Sequence, residues 1–271
     1  MTRRALTTTD GRFKGPEGVK NMLAPNRRRS NLIAIAAICV ATSCCGFVAG
    51  AWILDQPENV ALAGKYHKTK YSQYEEEWVI RDYFRDQRSG FFVDVGANDY
   101  RHFSNTYYLE TTLGWSGIAI DPQQQFASDY RLHRPRTRFF SLFVSDVSNA
   151  TQRFYELEGN SLVASERVDF TKRYGGDPKA NEVPTITLTD LLDRERVGRI
   201  DLLSMDIELA EPKALRGFAI DRFRPRLVCV EAHPEVRQQI LDYFTRHSYV
   251  VVGRYVRADT HNLYFAPLAR P

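Results

Sequence analysis

Hydrophobic and polar positions divide the chain into three kinds of pattern. The first is an unbroken apolar run, residues 32–54, 23 positions without a charged side chain. At about 1.5 Å of rise per residue, such a helix crosses a hydrocarbon core of roughly 30 Å. A single transmembrane helix is therefore expected there. The second pattern is helical periodicity. Over 71–88, Tyr74, Trp78, Val79 and Phe84 recur at helical spacing among Glu75, Glu76, Glu77, Arg81 and Asp82. This predicts an amphipathic helix packed on a sheet. Further helices are expected over 105–113, with Ser104 as N-cap, and over 123–132, 189–196, 212–218 and 234–247. The third pattern is short β-favouring runs at 91–95, 117–120, 138–143, 200–205 and 226–230. Residues 249–255 and 262–266 predict a terminal antiparallel hairpin. Between 145 and 184 the pattern is irregular. A short strand at 153–157, a polar loop over 159–181 and an edge strand at 185–188 are expected.

Strands alternating with helices imply an α/β fold, a mostly parallel sheet with helices on both faces. In open sheets of this kind ligands sit outside the carboxyl ends of the strands. Asp94, Asp121, Asp146, Asp206 and Glu231 lie at or near the ends of predicted strands, which places five acids on one rim. The stretch FFVDVGANDY (91–100) has the form strand, small-residue turn, helix. Gly96, Ala97 and Asn98 permit a sharp turn and a close backbone approach, the arrangement that suits a nucleoside cofactor. Asp121 follows Gly96 by 25 residues, the place of an acid that accepts from ribose hydroxyls. The G-x-G-x-x-G spacing of nicotinamide dehydrogenases is absent after the first strand, which makes that reading the poorer one.

Charge changes the picture at one end only. Residues 1–31 hold eight Lys/Arg and two acids, so the net charge of +4 arises in this segment and the remainder is net negative. A disordered basic tail is expected, and a basic globular surface for nucleic acid is not indicated. Arg27, Arg28 and Arg29 before the apolar run favour an N-terminus on the cytoplasmic side. Lys65, Lys68 and Lys70 on the other flank weaken that orientation, and the side of the globular domain stays open. A cleaved export signal ending near Ala49-Gly50-Ala51 ranks second to an anchor. Cysteines 39, 44 and 45 lie in the apolar run and Cys229 stands alone, so neither a disulfide nor a CxxC site is expected in the globular part.

From residue 71 to 267 the chain resembles the FkbM-type methyltransferases. The matching stretches are FVDVGAN (92–98), SNTYYLE (104–110), GWSGIAIDP (114–122), TLTDLL (187–192), IDLLSMDIELAEPKALRGF (200–218) and VCVEAH (228–233). The resemblance implies a class I methyltransferase-like, Rossmann-like seven-stranded mixed sheet. It also implies S-adenosylmethionine as methyl donor and a hydroxyl oxygen of a sugar, glycan or secondary metabolite as acceptor. The organisation expected is a basic tail (1–31), a transmembrane anchor (32–54), a linker (55–70) and a methyltransferase domain (71–271).

Candidate roles follow. Asp94 is placed to meet the donor's ammonium group, with capping of the following turn as the lesser reading. Gly96 and Asn98 form the cofactor turn, Asp121 meets the ribose, and Asp146 meets the adenine or belongs to a surface turn. Asp206 and Glu208 are two residues apart, as are Glu231 and His233, so each pair shares a face of extended backbone. If their strands are neighbours, these four converge to orient an acceptor hydroxyl or take its proton. A cation held by oxygen ligands is the lesser reading, and no metal is assigned. Two positions depart from the family pattern. Asp99-Tyr100 stands where a further glycine is usual, and a side chain there is expected to crowd the cofactor. Leu209 replaces the glycine of the D-x-E-G-x-E segment, which keeps Asp206, Glu208 and Glu211. These departures support an alternative, a non-catalytic membrane protein using the fold as an interaction domain.

Overall fold

The computed structural model describes residues 62–66 and 68–269. The expected tail (1–31) and apolar span (32–54) lie outside the described residues. Among the described residues, no helix is long and apolar enough to cross a membrane.

Along the chain, α1 (Leu62–Tyr66) and α2 (Glu76–Phe84) precede β1 (Phe91–Val95), α3 (Tyr107–Thr111), β2 (Ser116–Ile120), α4 (Ala127–His133) and β3 (Thr137–Phe140). Then come β4 (Phe143–Ser145), β5 (Thr151–Leu157), β6 (Asn160–Ser165), α5 (Val168–Thr171), β7 (Lys179–Thr187) and α6 (Leu188–Arg194). The last third holds β8 (Leu202–Met205), α7 (Glu211–Arg216), α8 (Ile220–Phe223), β9 (Leu227–Glu231), α9 (Arg237–Arg246), β10 (Tyr249–Val251) and β11 (Asn262–Pro267). Seven strands form one sheet in the order β10-β11-β9-β8-β1-β2-β3. The pairs β1–β2, β1–β8, β2–β3 and β8–β9 are parallel, while β11 runs antiparallel to both β9 and β10. The terminal hairpin thus forms, with β11 inserted between β9 and β10.

Side chains alternate across a strand, and here both faces are covered. Val93, Val95, Leu203, Met205, Val228 and Val230 enter one core with Leu191, Leu215 and Ile240 of α6, α7 and α9. Phe92, Leu202 and Cys229 enter the other with Val79, Ile80 and Phe84 of α2 and Leu109 of α3. That double coverage is why the strands read as continuous apolar runs. Residues 62–66, expected to be linker, join the second core through Leu62 and Tyr66.

Two expectations for the middle of the chain are corrected. The run 138–143 is not one strand. It breaks after Phe140, and β4 leaves the main sheet to pair in parallel with β7. The polar loop expected over 159–181 instead contains β6, α5 and the start of β7. With β4 and β5 these strands build a second sheet, β4-β7-β5-β6. Its outer strand residues are exposed and polar, so the hydrophobic signal of a strand is weak there.

The turn after β1 is fastened from behind by a buried polar chain. Arg134 and Glu110 form an ion pair, with side chains 0% and 3% exposed. Arg134 donates to the Tyr100 carbonyl at 2.8 Å and to Thr106 Oγ1 at 3.1 Å, and Thr106 Oγ1 donates to Asp94 Oδ2 at 2.8 Å. The Ser104 hydroxyl accepts from the N–H of Tyr107 at 3.1 Å, but α3 starts at Tyr107 and its N-cap is Thr106, not Ser104, with the Thr106 hydroxyl engaged by Asp94 instead of capping. Removing one partner of a buried pair leaves the other charge uncompensated. Arg134→Met is therefore expected to cost about 3–5 kcal/mol in urea unfolding of the purified protein. A loss under about 1 kcal/mol would show that the pair does not anchor this turn.

Leu209 adopts φ +80, and the preceding Glu208 φ +53. Left-handed backbone costs an L-residue roughly 1–2 kcal/mol, yet the Leu209 side chain is buried in the larger core. Glycine at this position relieves the backbone, whereas alanine keeps most of the strain and loses nearly as much packing. Leu209→Gly is accordingly expected to be at least as stable as Leu209→Ala in the same assay. The reverse order, by the roughly 0.5–1 kcal/mol that favours alanine at ordinary sites, would remove the strain argument.

Candidate active site

The carboxyl ends of β1, β2, β8 and β9 open on a cavity of about 480 Å³, inside the 300–1,000 Å³ range of small-molecule sites. One side is made by the turn after β1 and by the end of β2. Gly96 turns at φ +83, and a Cβ built there would lie 1.7 Å from the Asp206 carbonyl oxygen. The glycine is thus required by the approach of β8, besides lining the cavity. Asn98, at φ +46, lines the cavity and is tied across it: its Nδ2 donates to the Ser161 carbonyl at 3.2 Å, and its Oδ1 accepts from Ser161 Oγ at 3.1 Å. Asp121 also lines the cavity. Its Oδ2 accepts from the Asn98 N–H at 3.0 Å and its Oδ1 from the Gln123 N–H at 2.8 Å. Burial pushes this carboxyl up to about 7.

Asp94 lies next to this cavity rather than in its lining, and Asp146 lies outside it. Asp94 is 4% exposed and faces a cleft of about 20 Å³ beside Asn105 and Ser204 that adjoins the main cavity through Gly96 and Asp206. Burial raises it to about 6, against the hydrogen bond from Thr106. Asp146 follows β4 rather than a strand of the main sheet, and pairs with Arg216 at 2.9 Å. It does not line the cavity: Phe143 and Val144 of β4 do, and the chain leaves the wall after them. Tyr100 does not crowd it either. The ring stacks on His133 at 4.6 Å, and Asp99 accepts from the N–H groups of Arg101 and His102.

On the opposite side, Asp206, Glu208, Glu231 and His233 do converge, as neighbouring β8 and β9 require. His233 Nε2 lies 3.5 Å from Glu208 Oε2 and 3.4 Å from Glu231 Oε1. The hydrogen bond to Glu208 outweighs burial and raises the imidazole above its ordinary value. Burial raises Glu208 to about 7, despite its bond to His233. Glu231 is driven up to about 12, by burial first and then by the charges of Asp206, Glu208 and Glu211. Asp206 is raised by burial, moderated by its contact with Glu231. Glu211, at the start of α7, is fully buried behind this group and raised to about 8 by burial.

The remaining walls were not foreseen as site residues. Ser161, Val163 and Ala164 of β6, Phe154 of β5 and Phe143 of β4 close the cavity over the sheet edge. Tyr74 and His261, stacked at 3.6 Å, line it from the side of α2 and β11. The only hint in sequence was the alternation in NSLVAS (160–165), short and next to glycine.

A search of curated proteins found no match. Similar solved structures include a precorrin-6y C5,15-methyltransferase from Geobacter metallireducens GS-15. It is 10% identical over 73% of this chain and 89% of that chain, with a TM-score of 0.41. Another is a Burkholderia thailandensis 1,6-didemethyltoxoflavin-N1-methyltransferase with bound 1,6-didemethyltoxoflavin and S-adenosylhomocysteine, 13% identical over 74% and 80%, TM-score 0.37. A third is a TehB-like SAM-dependent methyltransferase from Corynebacterium glutamicum ATCC 13032, 11% identical over 73% and 89%, TM-score 0.39. The family model described as Methyltransferase FkbM domain matches residues 94–251, more than half of the sequence. That span runs from the Asp94 turn through the acids of β8 and β9, and by this match the chain belongs to the FkbM methyltransferase family.

Proposed function

We propose that the chain is a membrane-anchored S-adenosylmethionine-dependent methyltransferase acting on a hydroxyl of a sugar, glycan or secondary metabolite. The observation that carries this reading is a single cavity bordered by both halves of the chemistry. Gly96, Asn98 and Asp121 line one side of it, and Glu208, Glu231 and His233 line the other. The residues suit a nucleoside. Two backbone N–H groups use part of the Asp121 carboxylate, and its remaining lone pairs are available to ribose hydroxyls.

Adenosylmethionine supplies a methyl group already made electrophilic by its sulfonium. The chain's own work is then alignment and proton transfer. Asn98 and Asp121 position the nucleoside. Phe143 and Phe154 give the cavity an apolar wall that limits water. His233 Nε2 takes the proton of the acceptor hydroxyl, and Glu208, beside the ring, favours the imidazolium that results. Asp206 and Glu231 orient the acceptor. The placement of Tyr100 outside the cavity supports catalysis over the scaffold alternative.

Calorimetric titration of the full chain with S-adenosylhomocysteine is expected to give saturable binding, weakened about tenfold or more in Asp121→Ala. His233→Ala is expected to keep that affinity and lower methyl transfer to a responsive glycan or metabolite by about 10²–10⁴-fold. Absence of heat at millimolar ligand would overturn the methyltransferase reading.

The anchor rests on the uncharged run 32–54 and the arginines before it. The full chain is expected to stay with membranes through a carbonate wash. Recovery in the supernatant would remove the anchor while leaving the chemistry untouched.

A further inference from the structure

The wall behind His233 holds more carboxyl groups than the proposed proton transfer uses. Asp206, Glu211 and Glu231 each offer a carboxylate oxygen, and these oxygens lie within 4.8 Å of one another. Glu211 is 0% exposed. Its Oε1 accepts from the Ile207 N–H at 3.0 Å, but its Oε2 is buried without a hydrogen-bond partner. Glu231 Oε2 is buried and unpartnered in the same way. The cationic neighbour that Glu231 has is His233, an imidazole shared with Glu208. An unsatisfied buried carboxylate oxygen is costly, and several facing one another are costlier still. The chain nevertheless holds them there with strained backbone, since Glu208 and Leu209, between Asp206 and Glu211, both have positive φ. Strain of this kind persists where the surrounding structure imposes it, often at ligand clamps.

We propose that Asp206, Glu211 and Glu231 form a binding site for one divalent cation of the Mg²⁺/Mn²⁺ class, set in the inner wall of the cavity. Three oxygen donors select a hard cation over the thiolate-seeking metals. Glu211 closes the site from the protein side, whereas Asp206 and Glu231 also line the cavity. The cation's remaining coordination positions are therefore left to water or to oxygen atoms entering from the cavity. The cation replaces the missing donors at Glu211 Oε2 and Glu231 Oε2 and relieves the repulsion among the three acids. This site stands independently of the methyl-donor reading, because its ligands are not those that line the Gly96–Asp121 side.

The test uses the purified full chain freed of metal by a chelator. Titration with Mn²⁺, followed by loss of the free-ion electron paramagnetic resonance signal, is expected to show saturable binding of one ion per chain below about 1 mM. Mg²⁺ is expected to compete. Glu211→Gln and Glu231→Gln are each expected to weaken binding about tenfold or more. A thermal melt guards against misfolding. In chelator, Glu231→Gln is expected to melt at or above the wild-type temperature, because an amide N–H₂ replaces an unpartnered buried oxygen facing acidic neighbours, while Mn²⁺ raises the midpoint of the wild type alone. No saturable binding at millimolar Mn²⁺, or equal binding and equal thermal shift in Glu231→Gln, would overturn the site. Calorimetry with S-adenosylhomocysteine on the same metal-free sample separates the two readings. Donor-product binding without Mn²⁺ binding removes only the cation site, and the converse removes only the methyltransferase reading.

Discussion

The contact on which the rest depends is between two backbones. Gly96, leaving β1, lies so close to the Asp206 carbonyl leaving β8 that no side chain fits between them. Parallel neighbours in a sheet end at the same level, so the turns that follow them compete for the same space. Removing one Cβ settles that competition. The turn carrying Asn98 and the turn carrying Glu208 then diverge from a common point, and the space between them is the cavity. The glycine had been expected to make room for a ligand. Its first duty is to make room for the next strand, and the ligand side is a consequence.

A carboxylate-rich rim raises an energetic question. Burial moves Asp94, Asp121, Glu208, Glu211 and Glu231 all upward, but the consequences differ with the partners available. Asp94 and Asp121 are held by hydroxyl and backbone donors, and their job in the fold is to fix turns. Glu211 and Glu231 keep an oxygen with no donor at all. A rim built only for stability would have satisfied both kinds. The contrast separates acids whose two oxygens are already engaged by their turns or open to the cavity from acids that keep a buried oxygen bare.

Legibility in the sequence followed the physics of each segment. The strands of the main sheet were visible because both faces are buried, which leaves runs such as FFVDV and LLSM with hardly a polar break. The convergence of Asp206, Glu208, Glu231 and His233 was visible because two-residue spacing on neighbouring parallel strands leaves little freedom. Asp146 was misplaced in space because β3 and β4 form one continuous apolar stretch, and nothing in residues 138–143 reveals that the second half pairs with β7. The second sheet was read as loop because β5 and β7 turn many of their side chains to solvent. Long-range pairing supplies those strands with the partners that local propensity does not announce. Leu209 was read as a loss of the family's glycine. The backbone kept the glycine-like conformation and buried the leucine beneath it.

The second sheet is also what turns an open rim into an enclosed site. Ser161 on β6 accepts through its carbonyl from Asn98 Nδ2 and from Gln123 Nε2, at 3.2 and 3.0 Å. It therefore touches the turn after β1 and the turn after β2 together. Four residues on, Ser165 Oγ donates to the Glu208 carbonyl at 2.7 Å, reaching the turn after β8. One six-residue strand thus braces three turns of the main sheet, each carrying a different part of the site. The same strand buries Val163 and Ala164 in the cavity wall, so its bracing and its packing come from one segment. A site whose two halves come from different strand ends needs this kind of cross-brace, because packing inside the sheet fixes the strands and leaves the turns above them free.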